Sequence, residues 1–185
     1  MPIMRYPEAH KPEMRDRIVR AAATALRKGG LAGVSIPSIM KGAGLTHGGF
    51  YGYFRDRDEL VAEAISKAAA DTAATFAEEV PLEETVAKYL SEGHVDHPEQ
   101  GCVVAALGSE GPRQPAPVRK AFSTIARGLL GQVEKKLHPR RASRALSDEA
   151  LRQTATMVGA VVLARLVDDD VLARQILRAA REAAR

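Results

Sequence analysis

Tryptophan is absent, cysteine occurs once, and phenylalanine and tyrosine occur four times each in 185 residues. The lone thiol, Cys102, excludes an internal disulfide and suits a reducing cytoplasm. With 45% apolar but 4% aromatic residues, the core must be built from Ala, Leu, Val and Ile. No apolar run approaches the roughly 18 residues of a membrane span, so no membrane partner is expected. The opening stretch, residues 1–15, carries no apolar signal core, so export is not expected. A Gly-rich phosphate loop, a Ser/His/Asp grouping at a known spacing and paired carboxylates in a recognisable motif are all missing. The sequence therefore does not read as an enzyme, and no resident cofactor is expected.

What is present is positive charge in one place. Residues 1–60 carry 10 Lys/Arg against 6 Asp/Glu, and residues 61–185 carry 17 of each, so the net +4 sits in the first third. That is the footprint of an end that approaches phosphate.

Nearly every segment reads as helix. Residues 13–28 place Ile18, Ala22, Ala25 and Leu26 on one face, with Arg15, Asp16, Arg20 and Arg27 mostly elsewhere, and Gly29–Gly30 ends the helix. Ser35 caps a short helix over 36–42, with Pro37 tolerated in its first turn. Gly44 ends that helix, and Thr46 caps a third over 47–53. Asp56 to Glu59 opens a fourth with a variant capping box, and that helix runs to about Glu79. Residues 82–92 read as helix, 94–101 as loop and 102–110 as a short apolar helix. A long amphipathic helix covers 118–137 with Phe122, Ile125, Leu129, Leu130 and Val133 inward. A polar connection with Arg140, Arg141 and Arg144 leads to a helix capped by Ser147 and ending near Leu166. A last helix spans 169–183. The fold class is all-α.

The second and third helices are joined only by Ala43-Gly44-Leu45, which is a helix-turn-helix signature. Such a third helix enters a major groove while its neighbours hold it against the core. Ile18, Ala22, Ile39, Leu45, Phe50 and Phe54 are the expected supports. Here the sequence resembles the TetR family closely. The resemblance is carried by Ser35-Ile36-Pro37-Ser38-Ile39, then Ala43 through Phe54 (AGLTHGGFYGYF), then Arg57-Asp58-Glu59-Leu60. It departs from the family at Tyr53, where His is frequent, and at Arg57, where Lys is frequent.

The resemblance implies about nine helices. A DNA-binding domain over 1–60 would precede a helical regulatory and dimerisation domain over 61–185. It further implies a repressor that leaves a palindromic operator when an effector enters the C-terminal domain. Two copies would join through residues 148–183, because a monomer would expose Val158, Val161, Val162, Leu166, Leu172 and Ile176.

The DNA candidates are Ser35, Ser38, Lys41, Thr46, His47, Gly48, Gly49, Tyr51, Tyr53 and Arg57. Thr46, Tyr51 and Arg57 suit phosphate. His47 is the large polar side chain that opens the third helix and suits base edges. Gly48 and Gly49 cost roughly 1 kcal/mol each in helix propensity, which points to close backbone approach or to packing. The effector site is expected among residues 102–166 and poor in aromatics, with Cys102, Leu107, Phe122, Ile125 and Met157 as candidates. Cys102 also reads as a thiolate sensor, activated at the start of its helix. The alternative trigger is metal or redox chemistry at His94, His97, Glu99 and Cys102, spaced H-x2-H-x-E-x2-C. Arg165, between Leu163 and Leu166, reads as a snorkelling side chain or interface donor.

Overall fold

Short caps and an alanine-rich composition translate into a chain of helices. The computed structural model describes residues 10–77, 80–140 and 145–184. Among them are α1 (His10–Gly29), α2 (Ile36–Gly42), α3 (Arg57–Ala77), α4 (Leu82–Tyr89), α5 (Glu92–Asp96), α6 (Val103–Leu107), α7 (Ala116–Leu137), α8 (Asp148–Leu166) and α9 (Asp170–Ala183). Three 3-10 turns intervene at His47–Gly52, Pro98–Gln100 and Gly111–Arg113. No strand occurs among the described residues, and the expected all-α class holds. No helix among them is long and apolar enough to cross a membrane. Arg141 and Arg144 lie outside the described residues.

The caps act largely as the sequence suggests. Ser35 Oγ accepts from Ser38 N and starts α2. Ser147 Oγ accepts from Ala150 N and starts α8, and Asp169 caps α9 through Val171 N. The box at α3 is shifted by one residue. Asp56 Oδ1 accepts from Glu59 N at 2.8 Å, but Glu59 returns its carboxylate to Arg55 N rather than to Asp56 N.

Two buried clusters follow one another along the molecule. The first joins Ile18, Ala22 and Leu26 of α1 and Ile39 and Met40 of α2 to Phe50, Phe54 and the N-terminal half of α3. Val103, Leu107, Val118, Phe122 and Ile125 close it. The second gathers Phe76, Tyr89, Leu90, Cys102, Leu129, Val133, Met157, Val161 and Leu177. A fully buried Val, Leu, Ile, Phe or Met among them contributes about 1.5–3 kcal/mol. Helices α3 and α7 run through both clusters, so they join the two ends rigidly.

Four expectations need correction. The third helix is a 3-10 segment, because three glycines among the six residues His47–Gly52 weaken α propensity. Thr46 sits at its N-cap position without a side-chain cap bond. The stretch 94–101 is not all loop: α5, started by Ser91 Oγ on His94 N, runs on to Asp96, and a 3-10 turn covers Pro98–Gln100. Arg27 is not on the solvent face of α1: it is 8% exposed.

Candidate nucleic-acid interface and interior cavity

The helix-turn-helix is set against α1 and α3 by buried and charged contacts together. Gly44 adopts φ +77, the left-handed turn that Ala43-Gly44-Leu45 requires, and Leu45 N then donates to Met40 O at 2.8 Å. Phe50 and Phe54 stack with ring centroids 5.5 Å apart and anchor the 3-10 segment in the core. Arg15 of α1 stacks over Phe54 at 4.6 Å, donates to Tyr53 O at 3.3 Å, and pairs with Glu59 and Glu63 of α3. The hydrogen bond to Glu63 raises its pKa further, so its charge is permanent.

Of the candidate residues, Ser35, Ser38, Lys41, Thr46, His47, Gly48 and Tyr51 are exposed on α2 and the 3-10 segment, and Tyr51 is 68% exposed. Gly49, Tyr53 and Arg57 are half-buried. A Cβ placed on Gly48 or Gly52 would meet nothing within 4 Å, so packing within this chain does not require glycine there. Arg57 is partly committed, because its Nη2 donates to the carbonyl of Leu31 in the α1–α2 turn. The Leu31 N–H in turn donates to Glu110, at 3.2 Å from Oε2. Gly30, at φ +72, allows this approach; a Cβ there would lie 3.0 Å from Glu110 Oε1.

Cys102 borders two largely apolar cavities. A space of about 350 Å³ is lined by α3 through Thr72 and Phe76, by α4 through Thr85, Lys88 and Tyr89, and by His94, Gly101 and Cys102. A smaller one of about 270 Å³ lies between α3, Val103 and α7 and includes Cys102 and Ile125. Of the five effector candidates, Cys102 and Ile125 meet at the smaller cavity, and the five are not all brought together. Leu107, Phe122 and Ile125 pack in the first core, while Cys102 and Met157 pack in the second. Only Cys102 of the five lines the larger cavity. That cavity is not aromatic-poor: Phe76 and Tyr89 meet edge-to-face at 6.0 Å, and Tyr89 and His94 at 4.5 Å. Sequence reasoning missed Thr72, Thr85 and Arg27. The legible signal was that two of the three aromatics beyond residue 60 lie 13 positions apart.

The wall between cavity and α1 is the Gly101–Cys102 peptide. Its neighbours come from four helices. Arg27 Nη1 of α1 and Thr72 Oγ1 of α3 both approach Gly101 O at 3.4 Å. His94 Nε2 of α5 accepts from Cys102 N at 2.9 Å. Arg165 of α8 donates to the carbonyls of His94 and Val95 at 2.5 and 3.2 Å, which holds α5 in place. Arg165 is therefore a structural clamp and not a snorkelling side chain. Desolvation lowers the pKa values of both Arg27 and Arg165, opposed by neighbouring acidic groups.

The metal-like cluster does not assemble. Both ring nitrogens of His94 are engaged by backbone groups. His97 is turned outward and pairs with Glu99 at 3.4 Å. Among the described residues no group of three His, Cys, Asp or Glu side chains is placed to hold a metal ion. Cys102 is buried, 3% exposed, and the helix it precedes has only five residues.

The fold is shared with known proteins. Residues 18–64 match the model of bacterial regulatory proteins, tetR family. Among solved structures, a TetR-family regulator from Agrobacterium tumefaciens is 23% identical, with 94% of this chain and 98% of that chain covered and a TM-score of 0.71. A TetR regulator from Chloroflexus aurantiacus is 24% identical, covering 95% and 94%, with a TM-score of 0.71. Reduced NemR from E. coli is 18% identical, covering 94% and 95%, with a TM-score of 0.73. Identities this low speak for a shared fold over nearly the whole chain. No curated protein matches the sequence.

Proposed function

With the N-terminal domain of the tetR family at residues 18–64 and that family's fold over nearly all its length, we propose that this chain is a DNA-binding transcriptional repressor in the cytoplasm, released from a palindromic operator by a small effector. Residues 1–60 bind DNA and residues 61–185 bind effector and partner subunit. The observation that carries the reading is the exposed face made by α2 and the 3-10 segment. Thr46, Tyr51, Lys41 and Ser38 stand on it beside glycines that nothing in the chain crowds. Such a face lets backbone N–H groups and hydroxyls reach phosphate while His47 reaches base edges. Ser35 and Gly49 lie on the same face, and Tyr53 and Arg57 contribute from its edge. So few base-reading groups leave part of the specificity to DNA shape.

Two copies are needed to span a palindrome. Their contact is the exposed apolar surface of α8 and α9: Leu151, Leu163, Leu166, Val171 and Leu172. Val161, expected on this surface, belongs to the chain's own core. The effector enters the cavity behind Gly101 and Cys102.

The test is duplex binding against salt, using fragments from the gene's own neighbourhood. Affinity should fall steeply with salt, because phosphate contacts release counterions. Tyr51→Phe should weaken binding and leave the melting temperature unchanged. Arg57→Ala should lower both, because it also loses Leu31 O. No retardation of any neighbouring duplex at low salt would sink the proposal.

A further inference from the structure

Among the described residues, three buried side-chain polar atoms have no hydrogen-bond partner: Arg27 Nε, Tyr89 Oη and Arg165 Nη1. Buried polar groups are normally satisfied, and each exception asks for an explanation. These three are not scattered. All belong to residues that surround Gly101 and Cys102, the wall of the larger cavity. Tyr89 lines that cavity and is 6% exposed. Its hydroxyl lies by the Cys102 thiol, which is a weak acceptor. Burial holds its pKa well above the usual 10, so it remains a neutral phenol able to donate.

Positive charge stands at the rim and against the wall of this cavity. Lys88 stands exposed at the cavity rim. Arg165 Nη2 lies 3.2 Å from the point a Cβ on Gly101 would occupy, so it sets positive charge against the wall. The rest of the lining is mainly apolar, with Phe76 and the hydroxyls of Thr72, Thr85 and Ser91. A volume of about 350 Å³ is at the small end for a ligand site.

We propose that this cavity binds a small monocarboxylate with an apolar, ring-sized body, its carboxylate taking the Tyr89 hydroxyl and facing Lys88. The body fills the space beside Phe76. The proposal deepens the regulatory reading and rests on it for the consequence at DNA, but the binding event can be measured without DNA.

The experiment is calorimetric titration of the full chain with benzoate, phenylacetate and hexanoate, and with toluene and benzamide as uncharged counterparts. Saturable binding of at least one acid is expected, with its uncharged counterpart at least about tenfold weaker. Tyr89→Phe should weaken the acid roughly tenfold, since a hydrogen bond to a charged group is lost. It should leave the melting temperature of the free protein the same or higher, because an unpartnered hydroxyl is removed. Lys88→Ala, at an exposed position where folding is not at risk, should weaken the acid and leave toluene unchanged. No saturable binding of any acid overturns the proposal, and so does equal affinity for charged and uncharged probes. Unchanged acid affinity in both variants overturns it too. Loss of duplex binding with acid binding intact would count against the regulatory reading alone.

Discussion

His94 holds the backbone of Cys102: its Nε2 accepts the Cys102 N–H at 2.9 Å. Its Nδ1 therefore carries the proton and meets the Tyr89 carbonyl at 2.6 Å. The ring is neutral and stays so, because burial pushes its pKa below the usual 6.5. The Tyr89 carbonyl opposes that shift, and the nearby Arg165 charge adds to it.

This arrangement sets a pH dependence with a definite sign. The unfolded chain takes up a proton at His94 as the pH falls through about 6.5, while the folded chain does not until lower pH. The stabilisation is complete above that value and is lost as the pH falls below it toward the folded pKa. The urea midpoint should drop between about pH 7.5 and 5.5. His94→Gln should flatten that slope, and identical slopes in the two proteins would assign the effect elsewhere.

Gly101 is glycine because His94 leaves no room for a side chain. A Cβ there would lie 2.4 Å from His94 Cδ2 and 2.5 Å from Nε2. The ring is fixed through both nitrogens and cannot swing aside. Gly101→Ala should cost about 1–3 kcal/mol, the usual range for overpacking, read as a lower urea midpoint. The cavity should also lose its wall at Cys102 N. Wild-type stability in Gly101→Ala would mean that α5 moves freely, contrary to its clamping by Arg165.

Much of this architecture is legible from short-range signals. Ser35 and Ser147 mark helix starts because a cap acts within three residues. Gly44 marks the turn because its φ is a local matter. What was not legible depends on distant partners. Arg27 reads as surface from its charge, and only Asp71, at 3.7 Å, and the Gly101 carbonyl explain why it is buried. Helix α5 reads as loop from its Gly and polar residues, and is held by Arg165 from 70 positions away. Leu107 and Phe122 look like cavity lining from their apolar character, yet they pack in the first core. Their pattern gives no way to tell a packed core from a ligand site.

The exposed surface of α8 and α9 predicts assembly. Leu166 is 74% and Leu163 53% exposed, and a Cβ on Gly159 would meet nothing within 4 Å, so another helix can come close there. An isolated soluble chain rarely presents such a stripe. The wild-type chain should sediment as a dimer at micromolar concentration. Leu163→Glu with Leu166→Glu should give a folded monomer that binds a palindromic duplex poorly. A wild-type monomer, or a dimer that persists in the double variant, would place the interface on another face.

Arg27 is where the cavity wall meets the DNA-binding end. It lies on α1, the helix that also carries Arg15 against Tyr53, Phe54 and α3, so a shift at its guanidinium is transmitted along one rigid element. Its removal is tolerable in energetic terms. Asp71 keeps Lys67 as a partner, and Gly101 O keeps Thr72 Oγ1. Arg27→Met fills the same buried space without a charge that has to be desolvated. The variant should fold, bind duplex and bind acid close to wild type. What should shrink is the coupling between the two ligands, which in such systems is typically about 5- to 150-fold in affinity. The measurement is duplex affinity with and without saturating benzoate, in wild type and in Arg27→Met. A benzoate effect on duplex binding that is equally large in both proteins would remove Arg27 from the route between cavity and DNA.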